Sequence, residues 1–141
     1  MKQTVFFDLS GVLLQDAQVI EQGLAFVKEC IENNLNIGII SNWDPISFGI
    51  MRAQIPEFFN LFPEQNIIIP HLAGAAKPSR EIYEHALQKM NADRAHCFFI
   101  DDSKVNVIAA QEYGMTAVHH TDWKATREEL IICGLKLRNK Q

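Results

Sequence analysis

The residues of this chain best suited to chemistry are polar groups that end apolar runs, together with one lysine. Thr4-Val5-Phe6-Phe7 runs into Asp8, with Ser10 and Gly11 just beyond; Ile37-Gly38-Ile39-Ile40 runs into Ser41-Asn42; Cys97-Phe98-Phe99-Ile100 runs into Asp101-Asp102; and Lys77-Pro78 lies between the last two. An acid, a hydroxyl, a lysine and an acid pair in that order are what phosphoryl transfer through a carboxylate requires. One carboxylate attacks phosphorus, the hydroxyl and the ammonium hold the equatorial oxygens, and a Mg²⁺ clamped between two acids offsets the charge. Each group also has a plainer reading when taken alone. Asp8 could cap a helix or shape a turn, Ser41 could be a turn hydroxyl, Lys77 a solvated lysine ahead of a helix, and one of Asp101 and Asp102 the cap of a helix starting near Ser103.

Such a set works only if the fold brings it together, and open α/β sheets do so just past the carboxyl ends of their strands. Five short apolar runs read as strands: residues 4–7, 35–40, 67–69, 97–100 and 115–118. Between them lie helical patterns. Ile20, Leu24, Val27 and Ile31 form a stripe that ends at Asn33-Asn34, and Asp44-Pro45 opens a helix running to about Gln54. Lys77-Pro78 opens another, with Ile82, Tyr83, Ala86, Leu87 and Met90 inward, and the helix after Asp102 turns Val105, Ile108 and Ala109 inward before Gly114 stops it. Thr126 and Glu129 are spaced as the capping box of a last helix, which carries Leu130, Cys133 or Gly134, and Leu137 ahead of a frayed basic tail. Phe58, Phe59 and Phe62, between two prolines, read as a hydrophobic corner against the sheet. Strands alternating with helices predict a doubly wound, three-layer α/β sandwich on a five-stranded parallel sheet, in one domain over residues 1–141.

Composition excludes several classes. Apolar residues at 48% and charged residues at 21% describe a globular chain, and a net charge of −4 argues against a nucleic-acid backbone as the main ligand. Cys30, Cys97 and Cys133 are odd in number and far apart, which suggests neither a disulfide framework nor a zinc site and predicts a reducing, cytoplasmic compartment. The first apolar run is cut by Asp8 too early for a signal sequence, and no run reaches the length of a membrane span. Of the histidines, His119-His120 point to opposite faces of a strand, His85 and His96 read as structural or exposed, and His71 lies in the loop before Lys77, within range of a phosphate. Trp43, beside Ser41-Asn42, reads either as a rim aromatic or as a side chain packed on the sheet.

Together these motifs resemble those of the haloacid dehalogenase-like (HAD) hydrolase superfamily over nearly the whole chain. Phe7-Asp8-Leu9-Ser10-Gly11-Val12-Leu13 matches its first motif except at one position, Ile40-Ser41-Asn42 its second, Lys77-Pro78 its third, and Ile100-Asp101-Asp102-Ser103-Lys104-Val105-Asn106 its fourth. The resemblance implies a Rossmannoid sheet with the first strand central, and a Mg²⁺ cofactor. It implies Asp8 as nucleophile and metal ligand, and the main-chain carbonyl of Ser10 and the carboxylate of Asp102 as further ligands. Ser41 and Asn42 would bind phosphate, Lys77 would steady Asp8 and the phosphate, and Asp101 or Asn106 would support Asp102.

Two departures shape the expectation. Where the family's phosphatases carry an acid two residues after the nucleophile, this chain has Ser10, and loss of general acid–base help costs about 10²–10⁴-fold in rate. The stretch between the first two strands holds one helix and has no room for the helical cap that encloses small substrates in many relatives. The expectation is therefore a slow, capless, Mg²⁺-dependent phosphomonoester phosphatase working through an aspartyl-phosphate on Asp8. It would act on a phosphorylated small molecule or macromolecule, with a partner or second copy closing the open site. The alternative is an impaired binding or regulatory protein on the same scaffold. Dehalogenase or phosphonatase chemistry is disfavoured, because those enzymes draw substrate-side groups from the cap.

Overall fold

A computed structural model describes residues 2–138. In chain order the elements are β1 (Thr4–Phe7), β2 (Leu14–Gln15), β3 (Gln18–Val19), α1 (Glu21–Glu32), β4 (Asn36–Ile40), α2 (Pro45–Gln54), α3 (Pro56–Phe59), β5 (Ile67–Ile68), α4 (Pro70–Ala73), α5 (Arg80–Met90), β6 (Cys97–Asp101), α6 (Lys104–Tyr113), β7 (Thr116–His119) and α7 (Trp123–Ile132). Five strands form one parallel sheet in the order β5-β4-β1-β6-β7, so β1 is central. Helices cover both faces, which is why these strands read as continuous apolar runs rather than alternating ones. Val5 and Phe7 point into a core shared with α1 and α7, while Phe6 and Phe99 point into a second core with Ile82, Tyr83 and Ala86 of α5. Among the described residues no helix is long and apolar enough to cross a membrane.

The Phe corner forms as expected: Phe58, Phe59 and Phe62 are buried, with the Phe58 and Phe59 rings edge to face at 5.0 Å. Helix α2 has the expected bounds because the Asp44 carboxylate accepts the Ser47 N–H at 2.8 Å and Pro45 fills the first turn.

Four expectations are corrected. The loop after β1 is not simply a lead into a helix but folds back as the β2–β3 hairpin; Asp16 and Ala17 take φ values of 51° and 61° in its turn, where no glycine announces it. Helix α1 buries Phe26 and Cys30 together with Gly23 and with Val27 of the expected stripe; Ile20 and Leu24 pack partly buried against the same core, and Ile31 is exposed. Gly23 decides this rotation: a Cβ there would come within 2.9 Å of Leu13 Cδ2 and Trp123 Nε1, so the helix packs closest on the side lacking a side chain. Helix α6 turns Val107 and Ala110 inward and leaves Val105 and Ile108 exposed, because the fourth motif ties its first turn down through Asp101 and Asn106. Helix α7 is capped by Asp122, whose carboxylate accepts the Ala125 N–H at 2.8 Å; Thr126 lies inside it, buried and 2.7 Å from His120 Nδ1.

After α7, Leu135 rather than Leu137 is the fully buried residue. The expected frayed tail is anchored as far as it is described. Lys136 N–H donates to Gln3 Oε1 at 2.9 Å and Arg138 donates to Asn33 and Glu32; residues 139–141 lie outside the described residues.

Candidate active site

Asp8 leaves the end of β1 still paired with the neighbouring strand, its N–H donating to the Ile100 carbonyl at 2.9 Å. That bond brings it alongside Asp101, the last residue of β6. Lys77 reaches the pair from the loop ahead of α5. Its Nζ donates to Asp8 Oδ1 at 2.7 Å and to Asp101 Oδ2 at 2.9 Å, and sits 5.4 Å from the Phe99 ring centroid. Burying an ammonium this deeply, with 2% of the side chain exposed, is tolerable only because two carboxylates face it. The helix predicted to open at Lys77 starts three residues later, at Arg80, and this leaves the Lys77 main chain free. Asn42 uses it: the Asn42 amide accepts the Lys77 N–H at 2.8 Å and donates to the Lys77 carbonyl at 3.0 Å.

Asp101 is fully buried and fully engaged, accepting the Ser103 N–H at 2.8 Å as well as Lys77 and the Asn106 amide, the latter at 3.1 Å. It thus both shapes the turn that leads into α6 and pairs with the lysine. Asp102 is exposed, and carboxylate oxygens of Asp8, Asp101 and Asp102 lie within 4.8 Å of one another. Gly11 makes this convergence possible. Its φ is 81°, and a Cβ on it would overlap Asp102 Oδ2 and lie 2.9 Å from Asp102 Cγ. Burial pushes the Asp8 carboxyl up to about 7, against the pull of Lys77 and with a further push from Asp101. Three carboxyl groups facing one ammonium form an acidic, all-oxygen donor set, which suits a hard divalent cation such as Mg²⁺.

Ser41 is buried at the end of β4, its Oγ accepting the Trp43 N–H at 3.1 Å. Ser10 is exposed, and its Oγ accepts the Trp43 indole N–H at 3.0 Å. That second bond, across 33 residues of sequence, had no signal in the sequence, and neither did the Asn42 clamp on Lys77. His119 and His120 do point opposite ways, His119 outward and His120 buried; His71, expected in a loop, is exposed on helix α4 ahead of Lys77. Residues 9–35 hold the β2–β3 hairpin and α1, with no cap domain.

A family model described as haloacid dehalogenase-like hydrolase matches residues 24–114, well over half of the chain. The chain belongs to that family. The match covers Ser41, Asn42, Lys77, Asp101, Asp102 and Asn106 but begins after Asp8, so the Asp8 loop rests on the geometry above. A curated relative, the sesquiterpene phosphatase astK of Aspergillus oryzae, is 33% identical over 125 residues, 89% of this chain. The chain spans 60% of the length of that relative. A structure of an uncharacterized protein from Corynebacterium glutamicum superposes with a TM-score of 0.77 at 19% identity, covering 99% of this chain and all of the other. A HAD family enzyme from Bacteroides thetaiotaomicron, in complex with magnesium and inorganic phosphate, superposes with a TM-score of 0.71 at 16% identity, covering 89% of this chain and 99% of the other.

Proposed function

We propose that this HAD-like hydrolase is a slow, Mg²⁺-dependent phosphomonoester phosphatase that works through an aspartyl-phosphate on Asp8. The observation that carries this reading is the buried Lys77 Nζ bridging Asp8 and Asp101, with Asp102 alongside. A phosphatase among its relatives and a magnesium–phosphate complex among its structural neighbours support it.

In the proposed reaction a carboxylate oxygen of Asp8 attacks phosphorus in line, the new O–P bond forming as the bond to the alcohol oxygen breaks. Water then attacks phosphorus and returns Asp8 to a free carboxylate. Lys77, fixed on Asp8 Oδ1, holds that oxygen in place and neutralises charge on the transferring group, and Ser41 offers its hydroxyl to a phosphate oxygen. Asn42 fixes the Lys77 main chain and so helps hold the ammonium in place. Asp8, Asp102 and the Ser10 carbonyl would hold Mg²⁺, which when bound would offset the charge on the phosphoryl oxygens. Ser10 has no acidic proton to give the departing alkoxide and no basic oxygen to activate water, and this makes both halves slow.

Asp8→Asn is expected to abolish Mg²⁺-dependent hydrolysis of 4-nitrophenyl phosphate, measured as nitrophenolate release; undiminished release would remove Asp8 from the reaction. Gly11→Ala tests the convergence separately. Displacing Asp102 is expected to weaken Mg²⁺ binding at least about tenfold, the scale on which groups around a metal act, read by calorimetric titration. Unchanged affinity would show that Asp102 is not a ligand.

A further inference from the structure

The face of the site on the Ser41 side carries an apolar groove. A cavity of about 550 Å³ is lined by Asn42, Trp43, Asp44, Ser47, Ile50 and Met51, and so begins at two residues that already touch the reaction centre's own groups. Its polar members are satisfied within the protein. The Asp44 carboxylate accepts from Ser47 N–H at 2.8 Å and from the Ser47 hydroxyl at 2.7 Å, and the Asn42 amide is clamped on the Lys77 main chain at 2.8 and 3.0 Å. The larger part of what a ligand meets is apolar: the Trp43 indole, Met51, and Ile50, which is 57% exposed. Ile46, one turn earlier on α2, is 77% exposed. Helix α2 is thus an amphipathic helix wearing apolar residues on its outer side, with Asp44 the single charge between Trp43 and Met51. The indole is not a loose flag. Its N–H is held by Ser10 Oγ at 3.0 Å and its main-chain N–H by Ser41 Oγ at 3.1 Å, so the ring stands at a fixed place between the nucleophile's loop and the groove.

We infer that this groove is the subsite for the alcohol part of the substrate, and that the substrate is the phosphomonoester of a long, apolar alcohol rather than of a sugar or polyol. The inference rests on the phosphatase reading. A sugar needs free donors and acceptors beside the phosphate, since a site that leaves hydroxyls unpaired loses their hydration; here the polar groups, Asn42, Asp44 and Ser47, are already bonded to Lys77 or to one another, and the larger part of the wall is apolar. A hydrocarbon tail needs only the area that Trp43, Ile50 and Met51 present, and the bonds of Asn42 to the Lys77 main chain and of the Trp43 indole to Ser10 place that area beside the candidate site. From Pro45 to Ile50 the helix advances about 7–8 Å at its ordinary rise, a span that an extended chain of about six carbons covers.

The test uses ethyl-, butyl-, hexyl- and octylphosphonate, which resist hydrolysis, titrated calorimetrically into the wild-type protein with MgCl₂. Affinity is expected to rise by about two- to fourfold per added methylene, to be lost when inorganic phosphate is present in excess, and to rise less steeply in Ile50→Ser. Ile132→Ser, which removes an exposed isoleucine from the distant α7, is expected to leave the slope as it is. Ethyl- and octylphosphonate binding equally would overturn the inference and leave the phosphatase reading intact. Failure of every phosphonate and of inorganic phosphate to bind would overturn both. Octylphosphonate that phosphate does not displace would mean a groove unconnected with the site. A dimer by sedimentation that Ile50→Ser converts to monomer, with a flat chain-length series, would assign the groove to a second copy.

Discussion

Ser10→Asp is expected to raise Mg²⁺-dependent hydrolysis of ethyl phosphate by about 10²–10⁴-fold, measured as phosphate release at saturating metal. The introduced carboxylate would stand where the Ser10 hydroxyl now accepts the Trp43 indole N–H, so a donor is already in place to orient it. Its proton would go to the departing alkoxide, and the resulting base would then take a proton from the water that attacks phosphorus. The gain should be smaller for 4-nitrophenyl phosphate, whose leaving group departs without a proton, because only the second half-reaction is helped. If the wild type is silent and the variant turns over, the scaffold is competent and the native role shifts to phosphate binding. A variant no faster than wild type on either ester would show that the missing acid is not what limits this site.

Lys77→Met is expected to cost about 3–5 kcal/mol of stability in the metal-free protein at pH 8, read as a lower urea midpoint, together with loss of any turnover. The side chain is nearly the same length, so packing against Phe99 is kept while the ammonium between Asp8 and Asp101 is removed. Two buried carboxylates then face each other with no cation between them. Adding Asp8→Asn should recover part of the loss, since one of those carboxylates disappears, and the difference measures the coupling directly. The pH dependence has a definite sign. Burial already raises the Asp8 carboxyl to about 7, so from the ordinary carboxylate range up to that point the folded protein binds more protons than the unfolded chain. Stability in the metal-free protein therefore falls as pH rises through this window. Removing Lys77, which pulls the carboxyl down, should carry the fall on to higher pH. A variant as stable as wild type and no more sensitive to pH would show that the ammonium does not hold these acids together.

The site was more legible in the sequence than the surfaces around it. Asp8, Ser41 and Asp101-Asp102 end runs of β-branched and aromatic residues that must be buried on both sides, so the strand ends were marked by the change from apolar to polar. Their convergence follows from β1 lying between β4 and β6, with Asp8 paired to Ile100 one residue before Asp101. Helix faces were harder. The Ile20–Ile31 stripe has helical period and its Val27 is buried, but the missing side chain at Gly23 allows close approach to Leu13 and Trp123, so Phe26 and Cys30 fill the core and Ile31 is left exposed. In α6 the hydrogen bonds of Asp101 and Asn106 set the rotation, and Val105 and Ile108 are turned outward despite their apolarity. The hairpin went unread because Asp16 and Ala17 adopt left-handed backbone angles without the glycine or asparagine that usually marks them. Thr126 looked like a cap by its spacing with Glu129; its hydroxyl is instead spent on buried His120.

Asp8 as a phosphorus nucleophile is tested most directly by acid quench. With Ser10 unable to activate water, the acyl phosphate should form faster than it hydrolyses when the leaving group is good. Protein mixed with MgCl₂ and 4-nitrophenyl phosphate, quenched in acid and digested, is expected to carry one phosphoryl group on the peptide containing Asp8, absent from Asp8→Asn. Sustained hydrolysis with no phosphoryl group on that peptide, or with the group on another residue, would contradict it.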